Sequence, residues 1–319
     1  MMFASWKGHR LSRMMLGTVQ FGMPYGVANS TGQPAYRDVR EIVRQAVDGG
    51  VNCFDTAAAY GTSEEVLGRA LYELGVTDQV LVVTKVRALT PDERADADRA
   101  AFAIEQSVAE SRRRLRIDCL GAVLFHAEAD SPFLSVLEDL RIAGTLREYG
   151  VSCDNRPGPA ASFAETKGVT ALQIPGNVVD RRHQHSGIFQ DAAAKGIAVF
   201  IRSVYLQGLL VMPEESVPNH LRPILPVRRS LENIASTAGL TLPELALRYM
   251  LSQDGVTCVL TGVETVNQVQ ENLNLFDRGP LSEDILAAID AVQPMLAEAL
   301  ITPWMWPSLL ATSTVAPPL

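Results

Sequence analysis

A closed parallel barrel of eight strand–helix units, (β/α)8, is the fold class this sequence predicts, and three observations carry that reading. Eight short strand-like runs alternate with helical stretches along nearly the whole chain. Several of the runs are continuously apolar, as expected of strands with helices on one face and a packed interior on the other. None is followed by the GxGxxG turn of an open dinucleotide-binding sheet, so the barrel is preferred over a doubly wound sheet.

The elements follow in order. After an N-terminal extension over 1–13, MMLGTVQFG (14–22) reads as an apolar strand opening into a loop, continued as irregular chain by MPYGVANSTGQP. Val39, Ile42, Val43, Ala46 and Val47 recur at helical spacing until Gly49-Gly50 stops the helix. The strand VNCF ends on Asp55, and a loop of small residues then carries Tyr60. A helix over 63–74 leads to a strand over 80–84 ending on Lys85. A helix over 98–114 leads to CLGAVLF (119–125), ending on His126. Helix 132–143 precedes a strand over 146–151 that ends on Ser152, and helix 157–166 precedes VTALQI, with Gln173 near its end. Helix 187–195 leads to IAVFI, followed by Arg202 and Ser203. A proline-punctuated excursion (212–226) and helices near 228–238 and 243–253 precede TCVLT, whose end is Thr261-Gly262, and a helix over 265–275. A further helix over 282–298 and a tail over 300–319 lie outside the eight units, and 1–319 reads as one barrel domain.

The chain has 319 residues, 47% of them hydrophobic, and a formal net charge of −8. That length supports a large core, and the acidic balance argues against nucleic acid or anionic membrane partners. Cys53, Cys119, Cys153 and Cys258 lack metal spacing and lie in or beside apolar runs, so they read as reduced thiols. No signal-peptide core or membrane-spanning run is present, and a cytoplasmic location is expected. His183 and His185 lack a third ligand and read as part of a solvated loop, with no metal expected. The RRRLR cluster (112–116) ends a helix, where basic residues complement the dipole. Trp304 and Trp306 read equally as packing aromatics or as a cover over a pocket. No feature of the sequence fixes an oligomeric state.

In a barrel the C-terminal strand ends converge on one face, so distant residues can share a pocket. Those ends are Gly17 and Thr18, Asp55, Lys85, His126, Ser152, Gln173, Arg202 with Ser203, and Thr261 with Gly262. A phenol of ordinary pKa about 10 is a weak donor, but an adjacent ammonium favours its ionised form. Lys85, held by Asp55, supplies such an ammonium to Tyr60, and His126 can orient a substrate oxygen. The result is a general acid aimed at a carbonyl oxygen. No side chain here supplies a hydride, so a nicotinamide cofactor and a small-molecule carbonyl substrate are implied. Other readings are Tyr60 as a structural cap, Lys85 as a Schiff-base amine and His126 as a core histidine.

LGTVQFG, FDTAAAYG, VVTKV and LFHA occur in the order, and with the Asp-to-Tyr spacing, of the aldo-keto reductases, which this chain resembles. The likeness continues through YGVSCDN, LQIPGNVVDRR, IRSVYLQGLL and LTGVETVNQVQENL. The resemblance implies Tyr60 as proton donor, Asp55 and Lys85 as its tuning pair and His126 as the carbonyl-orienting residue. Ser152 and Gln173 would contact the nicotinamide carboxamide. Ser203, Leu206 and Gly208 would line the pyrophosphate path, and Gly262, Thr265, Gln268 and Asn272 would hold the adenosine end. Gly17 and Thr18 join this cofactor surface. The chain departs from the family pattern at Cys153, where Asn often follows the serine, and at Glu264, where a basic or hydroxyl residue often meets the 2′-phosphate. A carboxylate repels a phosphate but accepts a hydrogen bond from a ribose 2′-hydroxyl. The resemblance therefore gives NADP(H) first, with NAD(H) as a second use. It also brings a non-enzymatic alternative, a nucleotide-binding regulatory or redox-sensing subunit with little turnover.

Overall fold

In the computed structural model, which describes residues 1–29, 32–292 and 296–307, eight parallel strands close into a barrel ringed by helices. A two-stranded hairpin, β1 (Phe3–Trp6) and β2 (His9–Ser12), precedes it. The barrel strands are β3 (Met14–Gly17), β4 (Cys53–Asp55), β5 (Leu81–Val86), β6 (Leu120–Phe125), β7 (Leu146–Ser152), β8 (Ala171–Pro175), β9 (Ala198–Arg202) and β10 (Cys258–Gly262). Each lies beside its successor in sequence, and β10 closes on β3 with Gly262 opposite Gly17.

Successive strand residues face opposite sides, which divides the apolar runs between two cores. Leu16, Phe54, Val82, Val123, Leu172, Val199 and Val259 face outward into the helices. Met15, Cys53, Val83, Leu124, Ala171, Phe200 and Cys258 fill the barrel interior. Both sides of every strand are covered, so polar alternation is absent from the sequence. Two positions beyond the first six of these inward residues stand Gly17, Asp55, Lys85, His126, Gln173 and Arg202; Gly262 stands two beyond the inward Leu260, and Ser152 shares the parity of Gly150. The last inward layer is thus polar where the layers beneath it are apolar.

The helix Tyr36–Asp48 buries Val39, Ile42, Val43 and Ala46, and Gly49 ends it, as the spacing predicts. The helix Ala97–Leu115 ends with Arg112, Arg113 and Arg114 in its last turn, where Arg113 and Arg114 pair with Glu110. Among the described residues all the cysteines are free; Cys53, Cys153 and Cys258 are buried and Cys119 is half-buried. No described helix is long and apolar enough to cross a membrane.

Four local expectations are corrected. The N-terminal extension contains the hairpin, whose turn residues Lys7 and Gly8 both have positive φ (46° and 79°), the backbone that a two-residue turn between twisted strands demands. Its Trp6 stacks edge-on against Phe200, with centroids 5.6 Å apart, and its Nε1–H donates to the Thr170 carbonyl at 3.0 Å. The hairpin thereby caps the interior core. The chain after β3 is not a loop from the start, because Val19–Gly22 forms one helical turn. The single helix expected over 282–298 ends at Ala291, and Val292 is extended; a separate turn covers Glu298–Ile301. A proline two positions after Val292 cannot donate to a helical ladder; residues 293–295 lie outside the described residues. His183 is not in a solvated loop: it is buried in the short helix Arg182–His185, with Nε2 2.8 Å from the Asp154 carbonyl oxygen.

Candidate active site

The polar layer at the strand ends forms one connected floor. Lys85 Nζ lies 2.6 Å from Asp55 Oδ1 and also donates to the Thr56 carbonyl at 2.9 Å. Gln173 Nε2 donates to the same Asp55 oxygen at 2.7 Å, and Ser152 Oγ lies 3.5 Å from Gln173 Oε1. Above this pair sits the Tyr60 ring, with Lys85 Nζ 5.0 Å from its centroid. The His126 ring meets Tyr60 edge-on, with centroids 5.6 Å apart. Four residues on two strand ends and two loops are thereby brought to one place.

The loop that carries the phenol is rigidly backed. Thr18 Oγ donates to the Asp55 carbonyl at 2.8 Å, and Ser63 Oγ donates to the Thr18 carbonyl at 2.6 Å. The Ser63 N–H closes on the Tyr60 carbonyl at 3.0 Å. Gly22 packs against this turn so closely that a Cβ there would lie 1.8 Å from the Tyr60 carbonyl oxygen. Gly61 has φ of 56°, which a residue without a Cβ adopts most cheaply.

The electrostatics differ from the simple expectation for the phenol. Burial, followed by the Asp55 carboxylate, raises the Tyr60 pKa above its ordinary value, and Arg202 opposes the rise. The ammonium of Lys85 is engaged by Asp55, so the close pair presents little net positive field to the ring. Burial also lowers the Lys85 pKa, opposed by Asp55. His126 is held down to about 3 by burial, then by the charges of Lys85 and Arg202, so its imidazole is neutral near pH 7.

Over this floor opens a cavity of about 720 Å³. Its lining includes Tyr60 and His126 at one part, with Gly17, Thr18, Ser152, Gln173, Ser203, Gly208, Gly262, Glu264, Gln268 and Asn272 of the anticipated cofactor set. Lys85 lies beneath the lining, fully buried. Two expected contacts are placed elsewhere. The Leu206 side chain is fully buried in the outer core, and Thr265 caps the helix Val266–Asp277 by accepting from the Gln268 N–H. Gln268 returns the cap, its Oε1 accepting from the N–H groups of Thr265 and Glu264. Cys153 is buried in the outer core and is not part of the cavity lining.

Several cavity residues were not anticipated. Gln20, on the turn read as loop, donates from Nε2 to Glu264 Oε1 at 3.3 Å, while its buried Oε1 has no partner among the described residues. A Cβ at Gly262 would lie 2.5 Å from that amide, so the glycine keeps this wall open. Ser203, Leu206 and Gln207 all have positive φ (65°, 48° and 53°), a concentration of backbone strain of the kind that clusters at ligand sites. Gln207 is bridged to the loop across the cavity by the Val27 N–H at 3.0 Å. Trp304 lines the cavity, whereas Trp306 is tied to the Ala299 carbonyl, so the two tryptophans divide between the two readings. Residues 308–319 lie outside the described residues. An unpartnered amide oxygen, an open glycine wall and a strained strap thus lie along one side of the cavity.

A model of the aldo/keto reductase family matches residues 13–294. Similar proteins include aldo-keto reductase YhdN of Bacillus subtilis, 27% identical over 288 residues, covering 82% of this chain and 84% of that protein. The NADH-specific methylglyoxal reductase of Escherichia coli is 25% identical over 299 residues, covering 82% of this chain and 89% of that protein. In fold the chain resembles the holo form of aldo-keto reductase AKR11C1 from Bacillus halodurans, with a TM-score of 0.75 and 22% identity over 93% of this chain and 98% of that one.

Proposed function

Because this chain belongs to the aldo/keto reductase family, we propose that it reduces the carbonyl of an aldehyde, ketone or sugar to the alcohol, reversibly, with Tyr60 as proton donor. The observation that carries this reading is the buried Lys85–Asp55 pair beneath a phenol whose ring meets His126 at the cavity floor. A bound nicotinamide would supply the hydride. The carbonyl oxygen gains negative charge as the hydride arrives, and Tyr60 delivers its proton there. A phenol kept protonated by burial is a competent donor, since the alkoxide it meets is far more basic. The neutral ring of His126 donates a hydrogen bond to the same oxygen and fixes its direction. Arg202 then favours the tyrosinate left behind, until it is reprotonated.

In this reading Ser152 and Gln173 would hold the carboxamide, the Ser203–Gly208 strap would follow the pyrophosphate, and Gln20, Glu264, Gln268 and Asn272 would surround the adenosine end. The family resemblance puts NADP(H) first. The carboxylates of Glu264 and Glu271 in the lining support use of NAD(H) as well. The free thiols fit a reducing, cytoplasmic setting.

The test is a fluorescence titration with NADPH and with NADH, followed by cofactor consumption on a panel of aldehydes, ketones and sugars. Consumption supports the reductase. Tight nucleotide binding without consumption on any carbonyl replaces it with a regulatory barrel.

A further inference from the structure

Arg202 ends β9 with inward parity, is half-buried and lines the cavity. Its guanidinium is held by neutral groups, with Nη2 donating to the Cys153 carbonyl at 2.9 Å and Nη1 to Ser203 Oγ at 3.4 Å. It makes no ion pair with a carboxylate among the described residues. Arg94 and Arg182, also partly buried, hold Asp130 and Asp180 at 2.6 and 2.8 Å. The nearby acids are otherwise engaged or turned to solvent: Asp55 serves Lys85 and Gln173, Glu128 accepts the Asp154 N–H at 2.8 Å, and Asp154 is exposed. Arg202 is also the only lysine or arginine among the described residues of the cavity lining. Its charge reaches the reacting end, where it lowers the pKa values of both Tyr60 and His126. A partly desolvated cation that forms no ion pair with the carboxylates of its cavity is stabilised best by an anion that enters beside it.

We propose that Arg202 recognises a carboxylate on the substrate, so that the preferred substrates are carbonyl compounds bearing a carboxylate a few bonds from the carbonyl that meets Tyr60. A planar guanidinium offers two parallel N–H groups to such a group. The inference rests on the reductase reading and names the substrate class of the same site.

The experiment compares kcat/KM for succinic semialdehyde and for butanal at saturating cofactor, in the wild type, Arg202→Met and Arg202→Lys. A charge-assisted contact predicts a wild-type preference of about 10- to 100-fold for the semialdehyde. Arg202→Met brings the ratio near one, and Arg202→Lys keeps part of it. The ratio cancels effects shared by both substrates, including any loss of support at Cys153. Equal wild-type kcat/KM values overturn the proposal. So does a ratio unchanged in Arg202→Met, the result expected if Arg202 held a cofactor phosphate instead. Calorimetric titration of the protein with succinate gives a readout free of turnover. Succinate binding lost in Arg202→Met, with neither aldehyde reduced by the wild type, keeps the anion site and removes the reductase reading; aldehyde reduction without charge preference does the reverse. Should Arg202→Met fail to fold, the wild-type ratio and Arg202→Lys decide.

Discussion

The ammonium of Lys85 and the carboxylate of Asp55 meet at 2.6 Å, the first wholly buried and the second nearly so. Removing either partner leaves the other as an uncompensated charge in the interior, at a cost of about 3–5 kcal/mol. Lys85→Met is expected to lose about that much stability in urea titration, and adding Asp55→Leu to recover part of it. A Lys85→Met protein as stable as the wild type would show that the pair is not what holds this floor.

Tyr60→Phe removes one hydroxyl and leaves the ring that packs on His126. The expected loss in kcat is about 10²- to 10⁴-fold, the range for removing a positioned general acid, with nucleotide affinity nearly intact. Normal turnover by this variant would assign proton delivery to another group.

Gly22 lies outside the catalytic set, yet a Cβ there would fall 1.8 Å from the Tyr60 carbonyl oxygen and 2.4 Å from the Ser63 nitrogen. Both neighbours are backbone, so the Tyr60 turn itself must move. Gly22→Ala is expected to cost about 1–3 kcal/mol, the range for an overpacked site, and to lower kcat at least tenfold, since about 1 Å of misplacement can cost 10²-fold. Wild-type kcat in a folded Gly22→Ala protein contradicts the close backing described for this loop.

His126 is held down to about 3, against an ordinary value of about 6.5. Its ring resonances are expected not to shift between about pH 5 and 8 in NMR spectra. Below about 6.5 the unfolded chain gains a proton that the folded ring refuses, so this residue's contribution to stability falls as pH drops from about 6.5 toward about 3 and is constant above. His126→Asn removes that slope from the urea midpoint. A ring that titrates near 6.5 would place the imidazole in solvent.

The strand ends were legible because each apolar run stops where the interior becomes polar, at Asp55, Lys85, His126 and Gln173. Barrel topology then brings those residues together whatever their separation in sequence. The hairpin over Phe3–Ser12 has no Asn-Gly or Asp-Gly pair to signal it, its turn being Lys7-Gly8. Other features have no local signature. Gln20 reaches Glu264 only because β10 closes on β3, and Leu206 turns into the outer core because Ser203, Leu206 and Gln207 take backbone angles that their residue types do not announce. The sense of the Tyr60 shift was likewise invisible, since it depends on burial and on how fully Asp55 neutralises Lys85.

The alternation that sends Val83 and Lys85 inward and Thr84 outward places the site under an arithmetic constraint. Loss or gain of one residue inside Leu81–Val86 would turn the ammonium toward the helices and offer a neighbour to the cavity, because side chains on a strand exchange faces with every step. The same holds at Gln173 and Arg202. Chain-length variation that keeps this floor is therefore confined to the connections between strands, where loops can lengthen or shorten without changing which side chains the strands send inward.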